Sequence, residues 1–190
     1  MSFDLSDINQ YEDKVTEAEK IFGKLDILVN AAGVHTENVD FFTVTDKEYD
    51  RVTNINIKAV FFLSQVVSSY FIKNEIHGHI LFISSSRGNE PAWSPYGISK
   101  WGLNGLTKGL AMKLLPYGII VNAIAPGVVA TELLGYNEGE TIYSEENSLN
   151  RMAVPEEIAV YAKYLVSDLG NMVVGETINI SGGRGIFTIK

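Results

Sequence analysis

The sequence predicts an α/β fold built on a parallel sheet, and three observations carry that reading. Short, nearly uninterrupted apolar runs at Leu25 to Val29, Ile80 to Ile83 and Ile119 to Ala125 read as strands buried on both faces. Longer segments with apolar residues at helical spacing lie between them, and such alternation is the pattern of an α/β sheet. The joints carry stop and start residues, among them Gly23, Thr45, Pro116 with Gly118, and Pro155.

Taken in order, Tyr11, Val15, Ala18 and Phe22 recur at helical spacing between Asp7 and a stop at Gly23. The strand at 26–31 follows and runs into Asn30-Ala31-Ala32-Gly33, where small residues let a ligand approach the backbone. Thr45 and Glu48 form a capping-box signature opening a long helix through Asn56 and Phe61 to about Lys73. The strand at Ile80 ends in Ser84-Ser85-Ser86, and after a short loop a helix carries Tyr96-Gly97-Ile98-Ser99-Lys100 on to about Leu115.

The strand from Ile119 leads to Pro126-Gly127 and Thr131. Residues 132–151 are polar, acidic and weakly periodic; irregular segments of this length in compact domains are usually functional lids or disordered loops. Pro155-Glu156-Glu157 opens a helix at its first turn. The last strand is 176–181, and Gly182-Gly183-Arg184-Gly185 reads as the turn after it, since no helical pattern follows. Length predicts a single domain over 1–190, with no internal repeat or linker.

Tyr96 lies eleven positions after Ser85, and Lys100 lies one helical turn beyond Tyr96 on the same face. The layout predicts a hydroxyl, a phenol and an ammonium in one cleft. Hydride transfer between a carbinol carbon and a nicotinamide needs a matching proton transfer at oxygen. A free tyrosine, with a pKa of about 10, is too weak a base near neutrality. A cation held close lowers that pKa, the part expected of Lys100, while Ser85 hydrogen-bonds the substrate oxygen. Strand alternation turns Ser84 and Ser86 to the opposite face from Ser85.

Composition limits the other classes. A net charge of −8 argues against nucleic acid as a partner, because phosphate binding needs a basic surface. Cysteine is absent, which removes disulfides and thiolate catalysis and fits a reducing, cytoplasmic setting. No stretch reads as a membrane span or signal peptide. His35, His77 and His79 lack companion carboxylates or thiolates at ligand spacing, so no metal site is expected and the histidines read as exposed or strand-end residues.

The ordered set of Asn-Ala-Ala-Gly after a strand, an asparagine in the next helix, Ser before Tyr-x-x-x-Lys, and Pro-Gly followed by Thr resembles the short-chain dehydrogenase/reductase family, from about Asp4 to Gly183. The resemblance implies a Rossmann-like doubly wound parallel sheet and a catalytic tetrad of Asn56, Ser85, Tyr96 and Lys100. Asn56 would hold a water relaying protons to Lys100, and Lys100 would also grip the nicotinamide ribose. It assigns Asn30, Ala31 and Gly33 to the adenosine-ribose side, Asp4 to an adenine contact, and Pro126, Gly127, Val129 and Thr131 to the nicotinamide side. NAD or NADP is the implied cofactor. A carbonyl or secondary alcohol is the implied substrate, selected by residues 132–151 and Trp93, in a homodimer or homotetramer paired through the Asn56 and Tyr96 helices. The likeness extends to 3-oxoacyl carrier-protein reductases.

Two departures stand out. The Ser85–Tyr96 loop is about two residues shorter than the family's spacing, and the glycine-rich phosphate loop of the family's N-terminus has no counterpart. Met1-Ser2-Phe3-Asp4 aligns with the family's third strand, so the sheet is expected to be N-terminally truncated, its first two strands absent. The 26–31 strand would then have a bare edge, covered by another chain or a rearranged N-terminus. A catalytically inactive remnant serving as a binding or oligomerisation module is the alternative reading; a purely structural scaffold would leave the tetrad as coincidence.

Overall fold

The computed structural model describes residues 2–37 and 40–186. Its described residues form one four-stranded parallel sheet, in sequential order: β1 (Ile27–Asn30), β2 (His79–Ile83), β3 (Ile120–Pro126) and β4 (Thr177–Ile180). Leu28 lies opposite Ile80, and Ile80 opposite Val121, so apolar rows run across the sheet. The helices are α1 (Tyr11–Phe22), α2 (Asp46–Thr53), α3 (Val60–Lys73), α4 (Pro95–Leu114) and α5 (Pro155–Leu165).

Strand alternation divides the core in two. Ile80, Phe82, Val121 and Ala123 face one side, where Val15 of α1, Val60, Val67 and Phe71 of α3, and Leu103 and Ala111 of α4 complete a cluster. Leu81 and Ile124 face the other side and pack on Leu165 of α5. Helices therefore cover both faces, the doubly wound arrangement expected. Burying each large side chain such as Phe71 or Phe82 contributes about 1.5–3 kcal/mol.

The segment from α2 to α3 is one continuous helix of 28 residues, interrupted by a π-helical turn at Asn54–Ala59. By length and hydropathy it is apolar enough to cross a membrane, contrary to the expectation that no stretch is. The apolarity has a packing reason in this fold: Val60, Val67 and Phe71 are buried against the sheet and α4.

Local details depart from the sequence expectations in other places. Thr45 does cap α2, accepting from the Glu48 amide, but the Glu48 carboxylate does not reach back to complete the box. It accepts instead from the Glu37 amide and pairs with Arg51, which hold it well below the carboxylate range, at about 2. Residues 2–5 form no strand, for no neighbouring strand lies beside them to ladder with. Asp4 folds back on the Ser6 amide and hydroxyl, both at 2.8 Å, and the segment is tied to α1 by the Tyr11 hydroxyl on the Leu5 carbonyl. Residues 2–5 thus do not cover β1, whose outer edge is unpaired among the described residues and whose Ile27 and Val29 are 45% and 46% exposed.

Candidate active site

A cavity of about 820 Å³ opens at the C-terminal ends of the strands, where ligands bind in open α/β sheets. Its walls include Ala31 and Gly33 after β1, Ser84 to Arg87 after β2, Tyr96 and Lys100 on α4, and Pro126, Gly127, Val129 and Thr131 after β3. Leu133, Leu134 and Glu146 bring the 132–151 segment to the same space, as does Trp93 from the loop before α4. The base of that segment is closed by pairing of Val129 with Ala153.

Each reactive side chain is positioned by a local cause. Ser85 is fully extended at the end of β2, and its Oγ accepts the Arg87 amide, fixing the turn that follows. The adjacent Ser84 faces the other way, donating to Asn104 Oδ1 at 2.6 Å, as strand alternation requires. α4 begins with Ser94 as N-cap, accepting from the Gly97 amide, and Pro95 in the first turn, which needs no donor there. The Tyr96 amide, another orphan of the first turn, donates to Thr36 Oγ1 at 3.1 Å. Lys100 then lies beneath Tyr96, its ammonium 5.5 Å from the phenol centroid.

Electrostatics differ from expectation at the Tyr96–Lys100 pair. Burial pushes the Tyr96 phenol above the ordinary tyrosine value; a Ser85 hydrogen bond and the charges of Arg87 and Arg184 oppose this without overcoming it. The Lys100 ammonium, beside the phenol, donates to the Ile83 carbonyl at 2.9 Å. Burial brings Lys100 itself down to about 8.

Three expected site residues lie off the cavity wall. Asp4 is occupied with Ser6. Asn30 points away from the neighbouring Val29, toward Ser64 of α3 at 3.5 Å. Asn56 is buried in the π-helical turn, its amide committed to Val34 N (2.9 Å), Val34 O (2.9 Å) and Ser99 Oγ (3.2 Å). Its side chain therefore braces the loop after β1 against α4, leaving no amide hydrogen for a water.

Four polar or charged wall residues stand out among those not anticipated. Thr36 caps Tyr96, and Arg87 and Arg184 face the cavity. Arg184 pairs with Glu90 at 3.0 Å and with Glu146, which anchors the turn after β4 to loops on both sides of the opening. His35, expected to be an exposed or strand-end residue, is half-buried and stacked on Tyr96, with ring centroids 4.1 Å apart and planes at 22°. His79 is a strand-end residue, as the expectation allowed, and is buried as the first residue of β2. The only sequence signal for His35 and Thr36 was their place just past the small-residue segment at the end of β1.

A doubly wound parallel sheet with Ser, Tyr and Lys gathered at its strand ends defines an α/β protein of the dinucleotide-binding type. A family profile described as enoyl-(acyl carrier protein) reductase matches residues 1–184, and the chain belongs to the short-chain dehydrogenase/reductase family of oxidoreductases. It is 36% identical over 184 residues to the 3-oxoacyl-[acyl-carrier-protein] reductase of Thermotoga maritima, covering 94% of this chain and 74% of that one. The 3-ketoacyl-(acyl-carrier-protein) reductase of Brucella melitensis complexed with NADH superposes with a TM-score of 0.86 at 28% identity, covering 96% and 76%. ElxO with NADP bound superposes at 0.87 and 28% identity, covering 97% and 77%.

Proposed function

We propose that the chain carries the catalytic part of an NAD(P)-dependent oxidoreductase that interconverts a carbonyl and a secondary alcohol. The observation that carries this reading is the convergence of the Ser85 hydroxyl, the Tyr96 phenol and the Lys100 ammonium on one cavity. The walls fit a nicotinamide nucleotide: backbone is open at Ala31 and Gly33 on one side and Pro126 to Val129 on the other, and the Lys100 ammonium uses one of its three donors. The cofactor, when bound, supplies the hydride chemistry.

Within the chain, Ser85 donates to the carbonyl oxygen of the substrate, and Tyr96 delivers the proton that this oxygen acquires on reduction. Burial keeps the phenol protonated near neutrality, the form reduction requires. Lys100 holds the nicotinamide ribose, and Asn56 keeps the Gly33 to Thr36 segment against α4. Leu133, Leu134 and Trp93 give the substrate side an apolar wall. Phe61, Ile98 and Trp101, 43%, 42% and 52% exposed on the outer surfaces of α3 and α4, support pairing of these helices with a second copy; a cytoplasmic setting completes the reading.

The test is NAD(P)H oxidation against a panel of carbonyl compounds, run on the chain and on a chimera with a relative's glycine-rich strand-turn-helix joined to it. Tyr96→Phe should lower kcat by about 10²–10⁴-fold with cofactor binding unchanged. Retained turnover in that variant would end the assignment. Tight cofactor binding by the chimera with no turnover on any carbonyl would favour the inactive binding module.

A further inference from the structure

We propose that His35 is a positioning residue for Tyr96, its imidazole held over one face of the phenol so that the ring stays dry, oriented toward Ser85 and protonated. The inference rests on the reading of Tyr96 as the acid/base group.

The two rings are stacked, with centroids 4.1 Å apart and planes at 22°, so one face of the phenol is covered by the imidazole. The loop that carries His35 has no freedom to let this contact go. At three successive residues it is fixed by distant partners: Val34 by the Asn56 amide through both N and O, His35 through its carbonyl by Arg51 Nη2 at 2.6 Å, and Thr36 by the Tyr96 amide. Arg51 is itself clamped by Glu48 and Glu37. An imidazole fastened through its own backbone to α2 therefore presses on the side chain that projects from α4.

The charges facing this ring come from two elements. Lys100 approaches from α4 beside Tyr96, and Arg87 from the turn after β2; both disfavour a second cation, and burial acts in the same sense, holding His35 below the ordinary histidine value. Across the cavity Arg184 is matched by Glu90 and Glu146. His35 is thus a neutral ring at neutral pH. A neutral ring excludes water from the phenol without offering the charge that would favour phenolate. Its remaining edge lines the cavity beside Tyr96, where the substrate oxygen must sit.

The test follows the Tyr96 ring by NMR in protein isotope-labelled at tyrosine Cζ, with the resonance assigned by its loss in Tyr96→Phe. His35→Ala should shift the Tyr96 titration midpoint downward, toward the ordinary tyrosine value, and speed the flipping of its ring. His35→Phe, which keeps an uncharged plane over the phenol, should restore both to the wild-type behaviour. Should the alanine variant not fold, His35→Gln takes its place with the same expectation. An unchanged Tyr96 titration and flip rate in the variants lacking the ring would overturn the proposal, and so would a folded phenylalanine variant that behaves like alanine. None of these readings depends on turnover, so they stand apart from the Tyr96→Phe activity test.

Discussion

The Lys100 ammonium donates to the carbonyl oxygen of Ile83 at 2.9 Å, tying a cation of α4 to the last residue of β2. Lys100 is 5% exposed and forms no ion pair among the described residues. A buried ammonium with one carbonyl partner is incompletely compensated for lost water. That is why its pKa falls from 10.5 to about 8.

The first prediction is a stability that rises with alkaline pH. Between about 8 and 10.5 the unfolded chain binds the Lys100 proton more firmly than the folded one, so unfolding becomes harder as pH climbs through that window. At 1.36 kcal/mol per pKa unit the gain is about 3 kcal/mol. Tyr96, raised in the folded state, acts oppositely above the ordinary tyrosine value, since the folded chain then holds the extra proton. Urea denaturation from pH 7 to 10 should show the rise, and Lys100→Met should remove it. A flat profile in the wild type would contradict the burial argument.

Asn56 gives a second prediction. Asn56→Ala removes partners from Val34 N, Val34 O and Ser99 Oγ together. An orphaned buried polar group costs about 1–3 kcal/mol, so the variant should lose a few kcal/mol in chemical denaturation. Hydrogen exchange at the Val34 amide should quicken first, before any change around β4. Unaltered protection at Val34 would mean that the brace is not what holds the loop.

What could be read from the sequence follows the range of the forces involved. Apolar runs located β1, β2 and β3, and burial on both faces, the expected cause, holds for β2 and β3 but not for β1, whose Ile27 and Val29 are exposed on the open edge. The same period-two rule accounts for the opposite directions of Ser84, bonded to Asn104, and Ser85, and it accounts for Asn30 as well: with Val29 and Ala31 on the cavity, the residue between them faces away. His35 was hidden because its direction is set by Asn56, Arg51 and Tyr96, residues 16 or more positions away. The raised value of Tyr96, against the lowering expected from Lys100, is hidden for a similar reason: it comes from burial among residues that only the fold brings together. Asp4 lies off the cavity wall because a strand needs a neighbour to pair with, and residues 2–5 have none among the described residues.

Two glycines beside the site should answer differently to alanine. A Cβ at Gly88 would sit 2.7 Å from Asn104 Nδ2 and 2.8 Å from the Lys100 carbonyl oxygen, in the backbone of α4. Overpacking of this kind costs about 1–3 kcal/mol. At Gly33 the nearest atoms would be Asn56 Oδ1 at 3.4 Å and Lys100 Nζ at 3.7 Å, ordinary contacts. Gly33→Ala should therefore leave the urea midpoint nearly unchanged while Gly88→Ala lowers it. The reverse order would show that the turn after β2 yields more easily than α4 allows.

The outer faces of α3 and α4 carry the fourth prediction. Ile98 and Trp101 are three apart on α4 and share one face, and Phe61 presents another exposed ring from α3. Sedimentation velocity should find a dimer or tetramer, and Phe61→Asp with Ile98→Asp should shift it to the monomer. A wild-type monomer across the concentration range would remove the oligomer from the proposed function.

The last prediction concerns the cofactor. Pyrophosphate is ordinarily held by amide donors of a glycine-rich turn opening a helix. The glycine-rich turn of this chain, Gly182 to Gly185, follows β4 and opens no helix among the described residues; it is pinned by Ser181 and packs against Ser86 and Asn147. Ser85, Tyr96 and Lys100 are thus gathered at one cavity while this contribution to nucleotide binding has no visible source among the described residues. Calorimetry on the 190-residue chain should find weak NAD(P)H binding, and joining a relative's glycine-rich strand-turn-helix should tighten it, because the new strand pairs with the free edge of β1 and brings the amides with it. Protection of the β1 amides from exchange should rise in the same chimera. Tight, stoichiometric binding by the chain alone would show that other groups of this chain bind the pyrophosphate.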